Sequence, residues 1–369
     1  MGSLLALDLP LGSDLERALR DCVETDQAFC VLDQRLTPLR RREQAAQLGA
    51  TAVLDGDGRH ELREGRSVDD EIGLVILTSG SSGAPKAAEL TWSALRASAR
   101  LSEAALFVNR PPAWLPCLPA SHIGGLAVLL RAILDDATLV WGATDNLAAG
   151  PQLGATHVAV VRPQLIRYDL SGYQVVLLGG GRAPTSLAPN VHTTWGMTET
   201  GSGIVLDGRI LPSVEVVAPA GELLVRSPTL FRSYRDSARP RALGPDGFDD
   251  WFPTGDAGEV SDSRVHVHGR LGFVITTGGE KIWPEDLESV LASLEGVRDV
   301  AVTSLPDEMW GERIVALVVS DGSVTDDALR SIASERIGPW AKPKEIRYVI
   351  ALPRTSNGKL RRSELIHLH

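Results

Sequence analysis

The chain has 369 residues, enough for two or three domains. Its 43% apolar residues, 23% charged residues of mixed sign and mean hydropathy of +0.00 exclude a disordered or fibrous protein. A net charge of −10 with pI ≈ 5.4 and no basic stripe excludes a nucleic-acid partner.

The longest apolar runs, Ile72–Leu77 and Ile314–Val319, fall far short of the roughly 20 residues of a membrane span, so no membrane insertion is expected. The segment Met1-Gly2-Ser3-Leu4-Leu5 has no basic region and turns polar by Asp8, which does not fit a signal peptide. Cys22, Cys30 and Cys117 are widely spaced and odd in number. They read as buried thiols of a reducing cytoplasm, without metal-binding spacing.

In chain order, Leu15, Leu19 and Val23 predict a helix over 13–23. A strand at Ala28–Leu32, a basic helix near 36–48 and a strand at Thr51–Leu54 complete a small β-α-β element. The run Ile72–Leu77 ends in a Thr/Ser/Gly cluster, with a helix expected from Thr91. Strand, glycine-rich turn and helix together would present backbone N–H groups to an anion. Apolar runs at 114–118, 157–161 and 174–178 alternate with helical stretches near 97–107 and 124–135, which predicts a largely parallel α/β sheet. From 203 to 268, short β-rich pieces separated by Gly, Pro and Asp suggest a compact barrel-like subdomain. The rest carries a helix near 284–294, a strand pair near 299–304 and 313–319, a helix near 326–336 and a strand near 346–350. The expected organisation is an N-terminal domain over 1–271 and a small α+β domain over 272–369, with the boundary at Gly272.

Of 37 basic residues, only Lys86, Lys281, Lys342, Lys344 and Lys359 are lysine, and the other 32 are arginine. A site that needs a compact point charge cannot accept the exchange, so these five positions are flagged. Thr78-Ser79-Gly80-Ser81-Ser82-Gly83 packs four hydroxyls and two glycines, with Lys86 three residues beyond, a composition suited to cradling a polyphosphate. Alone it reads equally as a surface turn, and it is not a Walker A loop. His192-Thr193-Thr194-Trp195-Gly196-Met197-Thr198-Glu199-Thr200 supplies an aromatic face and a hard oxygen ligand suited to Mg²⁺. Thr254-Gly255-Asp256 offers a carboxylate after a turn, Gly269-Arg270 a guanidinium, and Pro353–Lys359 a lysine in a turn-rich loop.

In this order the segments resemble the acyl-adenylate-forming family of acyl- and aryl-CoA synthetases, carrier-protein adenylation domains and beetle luciferases. The resemblance runs from Ile72 to the C-terminus. It implies ATP-dependent activation of a carboxylate as acyl-AMP, then displacement of AMP by a thiol, usually that of coenzyme A. Thr78, Ser79, Gly80, Ser81, Ser82, Gly83 and Lys86 would hold the β- and γ-phosphates. Gly179, Gly180 and Gly181 would border the adenine and acyl pocket, with Trp195 on the adenine. Thr198 and Glu199 would serve the α-phosphate and Mg²⁺, and Asp256 with Arg270 the ribose. Lys359 would be the adenylation lysine of a C-terminal domain that rotates about Gly272, where Asp or Lys is usual. Thr277-Gly278-Gly279-Glu280-Lys281 would then help to build the pantetheine tunnel. Trp195 stands where Tyr is usual, and Ala87 where Gly is usual.

Compactness, the segment Leu118–Leu126 and the run Val176–Pro184 look most like the short actinobacterial o-succinylbenzoate–CoA ligases of menaquinone biosynthesis. The resemblance places His122 in the acyl pocket near the thiol entrance. The idle carboxylate of that acid needs a polar or cationic partner, for which Ser121, Arg182 and Thr193 are candidates. His157, His266 and His268 read as structural, and Lys342 and Lys344 as solvated. Another aryl or medium-chain acid–CoA ligase, a stand-alone adenylation domain loading a carrier protein, and a degenerate nucleotide-binding protein are the alternatives. The oligomeric state is open, a homo-oligomer included.

Adenylation joins two anions, so a cation between them stabilises the transition state. Lys359→Ala is therefore expected to slow acid-dependent pyrophosphate exchange on the order of 10²–10³-fold. It should spare thioester formation from supplied acyl-AMP, and equal loss of both half-reactions would refute the role.

Overall fold

The computed structural model describes residues 2–78, 85–106, 111–184, 186–235, 251–355 and 360–368. By its internal contacts the chain divides into two units, one of Met1–Gly179, Ala188–Val216 and Val225–Phe252, the other of Gly180–Leu187, Val217–Leu224 and Pro253–His369. Gly272 thus lies inside the second unit.

The first unit opens with β1 (Leu5–Leu7), α1 (Ser13–Glu24), β2 (Phe29–Val31), α2 (Pro38–Leu48), β3 (Ala52–Asp55) and β4 (Gly58–Glu61). Thr37 caps α2 with its hydroxyl, Pro38 starts it, and Gly49 in the left-handed region ends it. β5 (Ile72–Thr78) follows, then β6 (Lys86–Thr91) and α3 (Trp92–Leu106). β1 pairs in parallel with β2 and β3, and β2 in parallel with β5. Leu4, Ala6, Cys30, Leu48 and Val75 form the core beneath them.

One expectation is corrected here. The glycine-rich segment does not lead from a strand straight into a helix. β5 and β6 form an antiparallel pair in which Thr78 faces Lys86. The helix begins only after Thr91, whose hydroxyl accepts the N–H of Ala94 at 3.1 Å. The short Lys-Ala-Ala-Glu-Leu-Thr stretch is a strand because β5 on one side supplies its partners, which no local pattern reveals.

A second sheet of this unit contains β7 (Ala113–Leu115), then, after α4 (Ile123–Leu134), β8 (Thr138–Leu139) and β9 (His157–Val160). After α5 (Arg162–Arg167) come β10 (Val175–Leu178), β11 (Val191–Met197), β12 (Ser202–Leu206) and β13 (Arg209–Ile210). β7, β9, β10 and β11 are parallel neighbours, as their continuous apolar runs predict. β12 and β13, expected in a barrel, instead extend this sheet in antiparallel fashion from β11. Trp114, Val128, Ala132, Val175 and Leu177 are buried between strands and α4. β14 (Glu215–Val217), β15 (Glu222–Arg226) and β16 (Ser233–Tyr234) follow, and β16 adds to the first sheet beside β6, Tyr234 opposite Ala88.

In the second unit, β17 (Phe252–Ser261) and β18 (Arg264–Arg270) form a hairpin. β19 (Ile275–Thr277) and β20 (Glu280–Ile282) form another, and α6 (Pro284–Leu291) leads to the long antiparallel pair β21 (Val297–Asp307) and β22 (Gly311–Ser320). After α7 (Asp326–Arg336), β23 (Glu345–Tyr348) runs parallel to β22, and α8 (Arg362–Leu365) closes the chain. Leu287, Leu291, Val302, Ala316 and Leu329 are the core of this α+β element, each predicted helix and strand being present.

The turn after β11 depends on Gly196. The register shifts between Trp195 and Gly196, and a Cβ at 196 would meet the carbonyl oxygen of Ser202 and the Cα of Gly203, both backbone atoms unable to swing away. Gly196→Ala is therefore expected to destabilise the protein by about 1–3 kcal/mol. A melting temperature equal to wild type would show that the turn yields freely.

Candidate active site

The turn is a single helical loop, Thr198–Thr200, closed by Gly201 at φ 67°. Thr200 Oγ accepts the N–H of Met197 at 2.9 Å and donates to the carbonyl of Ser202 at 2.7 Å. From α3, Ser98 Oγ donates to the carbonyl of Gly201 at 3.1 Å, and the N–H of Phe231 donates to the carbonyl of Glu199 at 2.7 Å. The turn is thus held from two sides, and it carries Glu199 with only 9% of its surface exposed.

The Glu199 carboxylate forms no ion pair among the described residues. Its partner is the hydroxyl of Tyr234, which donates to Oε1 at 2.9 Å. The ring of that tyrosine lies beneath the ammonium of Lys86, with Nζ 5.0 Å from the centroid. Two residues singled out from distant motifs, Lys86 and Glu199, are therefore brought to one side chain that sequence reasoning missed. Thr78 is buried at the same end of the β5–β6 pair, directly opposite Lys86, while Ser79–Gly83 lie outside the described residues. Trp195 is half-buried in β11 opposite Val205, and Gly179 follows β10.

His122 stands at the N-terminus of α4 but does not cap it with its side chain. Its Nε2 is 2.8 Å from Nη2 of Arg35, a residue of the loop after β2. Arg35 is locked by Asp33, Nε to Oδ1 at 2.7 Å and Nη2 to Oδ2 at 2.6 Å. Burial pushes the Asp33 carboxyl up, but hydrogen bonds from Arg35, with the charges of Arg35 and His122, hold it below the ordinary range. A guanidinium can only donate, so Nε2 must accept and a neutral His122 carries its proton on Nδ1. Nearby in sequence, Ser121 Oγ is buried without a partner among the described residues.

Arg131, in the middle of the apolar helix α4, is 4% exposed, and its Nε and Nη1 have no hydrogen-bond partner among the described residues. The guanidinium lies 5.0 Å from the Trp114 ring centroid and borders a narrow space with Leu95, Ser98 and Gly201. Burial pushes it down to about 10, against the pull of Asp135. The signal for this residue was in the sequence: one charge inside Ile-Gly-Gly-Leu-Ala-Val-Leu-Leu-Arg-Ala-Ile-Leu. The three earlier candidates fare differently. Arg182 is paired with Asp286, Thr193 donates its N–H to Asp207 Oδ1 at 2.8 Å, and Ser121 alone keeps an unpartnered oxygen.

In the second unit Asp256, 7% exposed, pairs with Nε of Arg270 at 2.8 Å across the β17–β18 hairpin. Thr254 Oγ accepts the N–H of Asp256 at 3.0 Å, and Arg270 Nη1 donates to the carbonyl of Thr254 at 2.8 Å. Gly180 and Gly181 are exposed, and the Thr277–Lys281 segment is the β19–β20 hairpin with both glycines at positive φ. Lys359 lies outside the described residues. The chain on either side of it is anchored by Arg354 on Asp299 at 2.8 Å and by Arg362 on Glu285 and Glu288, each at 2.9 Å. Lys344, expected to be solvated, is exposed but sits 4.2 Å over the Trp310 ring. Burial pushes all three thiols up to about 12, and the buried His157 ring lies 5.0 Å from that of Trp114, tilted by 53°, whereas His266, expected to be structural, is exposed. No helix among the described residues is long and apolar enough to cross a membrane.

A mixed α/β unit with a buried carboxylate on a Thr-Glu-Thr turn, in a chain whose sequence also carries a hydroxyl- and glycine-rich segment, fits a nucleotide-dependent acid-activating enzyme. Residues 15–235 match the AMP-binding enzyme family and residues 286–359 the AMP-binding enzyme C-terminal domain, and the chain belongs to that family. It is 35% identical to a probable 2-succinylbenzoate–CoA ligase of Mycobacterium tuberculosis over 83% of this chain and 86% of that one. It is 30% identical to the 2-succinylbenzoate–CoA ligase of Listeria monocytogenes over 80% of this chain and 70% of that one. Among solved structures it is similar to the o-succinylbenzoate CoA synthetase of Bacillus subtilis in complex with the acyl-adenylate intermediate OSB-AMP. That likeness has a TM-score of 0.83 and 25% identity, covering 100% of this chain and 89% of that one.

The Arg35–His122 contact fixes a tautomer that can be measured. Long-range ¹⁵N–¹H correlation spectra of the imidazole, recorded where His122 is neutral, should show protonated Nδ1. Arg35→Met should shift the population toward protonated Nε2. An Nε2–H tautomer in the wild type would mean that Arg35 does not make this contact in solution.

Proposed function

We propose that the protein is an o-succinylbenzoate–CoA ligase that activates its acid with ATP and transfers the acyl group to coenzyme A, for menaquinone biosynthesis. The named relatives support the reaction, and Arg131 is the observation that carries the acid. A buried guanidinium with unpartnered nitrogens is costly unless an anion meets it. A dicarboxylate has one carboxylate to react and one to bind, and the second supplies that anion. Arg131 lies on the helix that His122 opens, in the unit that also carries Glu199.

In this reading the acid's carboxylate oxygen attacks the α-phosphorus of ATP, the Pα–O bond to the leaving pyrophosphate breaks, and acyl-AMP forms. Thr78, the Ser79–Gly83 loop and Lys86 hold the β- and γ-phosphates, Trp195 covers the adenine beside Gly179–Gly181, and Asp256 with Arg270 holds the ribose. Lys359 places its ammonium between the two reacting anions. Mg²⁺, when bound, neutralises phosphate charge. Glu199 would hold it as a single carboxylate ligand, being buried and free of any ion pair among the described residues. Thr198 faces the α-phosphate. In the second half-reaction the thiol sulfur attacks the acyl carbon near His122, the bond to the AMP oxygen breaks, and the thiol proton passes to solvent. We assign residues 272–369 to a mobile C-terminal domain that turns between the two steps. A cytoplasmic location accompanies a reaction that consumes ATP and coenzyme A.

The test is thioester formation followed by mass spectrometry, with ATP, Mg²⁺, coenzyme A and either o-succinylbenzoate, benzoate or octanoate. The o-succinylbenzoyl thioester should dominate. Arg131→Met should lower kcat/KM for o-succinylbenzoate about 10²-fold, the size of a lost charge-assisted pair, while leaving the monocarboxylates unchanged. Thioester chiefly from another acid would overturn the substrate, and AMP release without thioester would point to a carrier-protein acceptor.

A further inference from the structure

Lys86 and Glu199 carry opposite charges and share a neighbour, yet no ion pair joins them among the described residues. What lies at that junction is Tyr234. Its hydroxyl donates to Glu199 Oε1 at 2.9 Å, and its ring face receives the Lys86 ammonium 5.0 Å from the centroid. Left without that shared neighbour, a lysine and a buried carboxylate on either side of it would be drawn toward a salt bridge. Each would then be neutralised, the lysine for phosphate and the carboxylate for a divalent cation.

Tyr234 is itself firmly placed. β16 pairs with β6, so the tyrosine is tied to the strand that Lys86 begins. The ring of Phe231 lies 4.8 Å from its own, and the N–H of the same Phe231 holds the Glu199 carbonyl. On the far side Arg235, whose side chain is 1% exposed, pairs with Glu89 at 2.8 Å and donates to the carbonyls of Gly49, Arg66 and Ser67. A side chain fixed at both ends of its strand can hold two mobile ones.

We propose that Tyr234 is a positioning residue for the adenylation step, which keeps Lys86 and Glu199 apart and aims them separately at the phosphates and the metal of Mg·ATP. Its ring is the counterpart of the ammonium, and its hydroxyl fixes the rotamer of the carboxylate with one oxygen engaged and the other directed to the cation. The proposal rests on the adenylating activity argued above.

Two substitutions separate the two contacts. Tyr234→Phe keeps the ring and removes the hydroxyl. In o-succinylbenzoate-dependent pyrophosphate exchange it should raise the Mg²⁺ concentration for half-maximal rate about tenfold or more, with the KM for ATP at saturating Mg²⁺ nearly unchanged. Tyr234→Leu removes both contacts and should raise the KM for ATP as well. A readout independent of turnover is Mn²⁺ binding, followed by electron paramagnetic resonance in the presence of a non-hydrolysable ATP analogue. It should weaken in Tyr234→Phe by a factor similar to the Mg²⁺ shift, while binding of the analogue in EDTA stays at the wild-type level. In a Glu199→Gln background, Tyr234→Phe should add little, because its effect passes through the carboxylate.

No pyrophosphate exchange by the wild type with any of the acids would overturn the functional reading. Exchange by the wild type with unchanged Mg²⁺ dependence and Mn²⁺ binding in Tyr234→Phe would overturn the role of Tyr234 alone. A loss confined to thermal stability, with both metal readouts intact, would do the same.

Discussion

Holding charges unpaired inside a folded protein is the constraint on which the rest of this site depends. Every substrate of the proposed reaction is an anion, so the protein must present cations, and a carboxylate for the metal, without letting them quench one another. The chain solves this locally and by different devices. Lys86 is set over the face of Tyr234 rather than on Glu199. Arg131 is set against the face of Trp114 and surrounded by apolar side chains of its own helix. An aromatic face attracts a cation without occupying its donors, so the charge stays available to an incoming ligand.

Other arginines are paired where they anchor the backbone. Arg235 is clamped on Glu89 and three carbonyls behind β16, and Arg362 on two glutamates of α6. The pattern also explains why lysine survives at so few positions in an arginine-rich chain. A guanidinium with five donors finds partners readily and suits anchoring, whereas a compact ammonium can be held poised over a ring or carried at the tip of a loop.

Much of the architecture was legible because it is written in periodicity. The apolar runs of β5, β9 and β10 are long enough to be read as buried parallel strands, and the C-terminal elements follow their hydrophobic pattern closely. The β5–β6 hairpin was not legible. Lys86–Thr91 is a strand only because β5 and β16 lie on either side of it, and partner strands leave no local trace. The chemical segments were legible as motifs, but their supports were single residues whose importance comes from tertiary neighbours. Tyr234 sits in an ordinary Ser-Tyr-Arg stretch, and Arg35 in a turn before a helix. Arg131 is the exception, since a lone charge inside an apolar helix breaks the pattern around it and can be noticed.

That difference bears on what decides substrate within such a fold. The residues proposed to face the nucleotide come from segments with recognisable composition, because phosphates and Mg²⁺ demand small residues, hydroxyls and a carboxylate wherever they bind. An acid is distinguished instead by what lies at the far end of its pocket, and in the proposed reading that end is the buried Arg131 guanidinium. Such a group is tolerated only if its desolvation is offset when the ligand arrives. A substrate lacking the second carboxylate would leave the charge as costly as before, so it would gain nothing from this residue while a dicarboxylate would gain a charge-assisted pair. In that reading, selectivity for the acid resides in an energetic deficit built into the unliganded protein, and the matching ligand is the one that removes it.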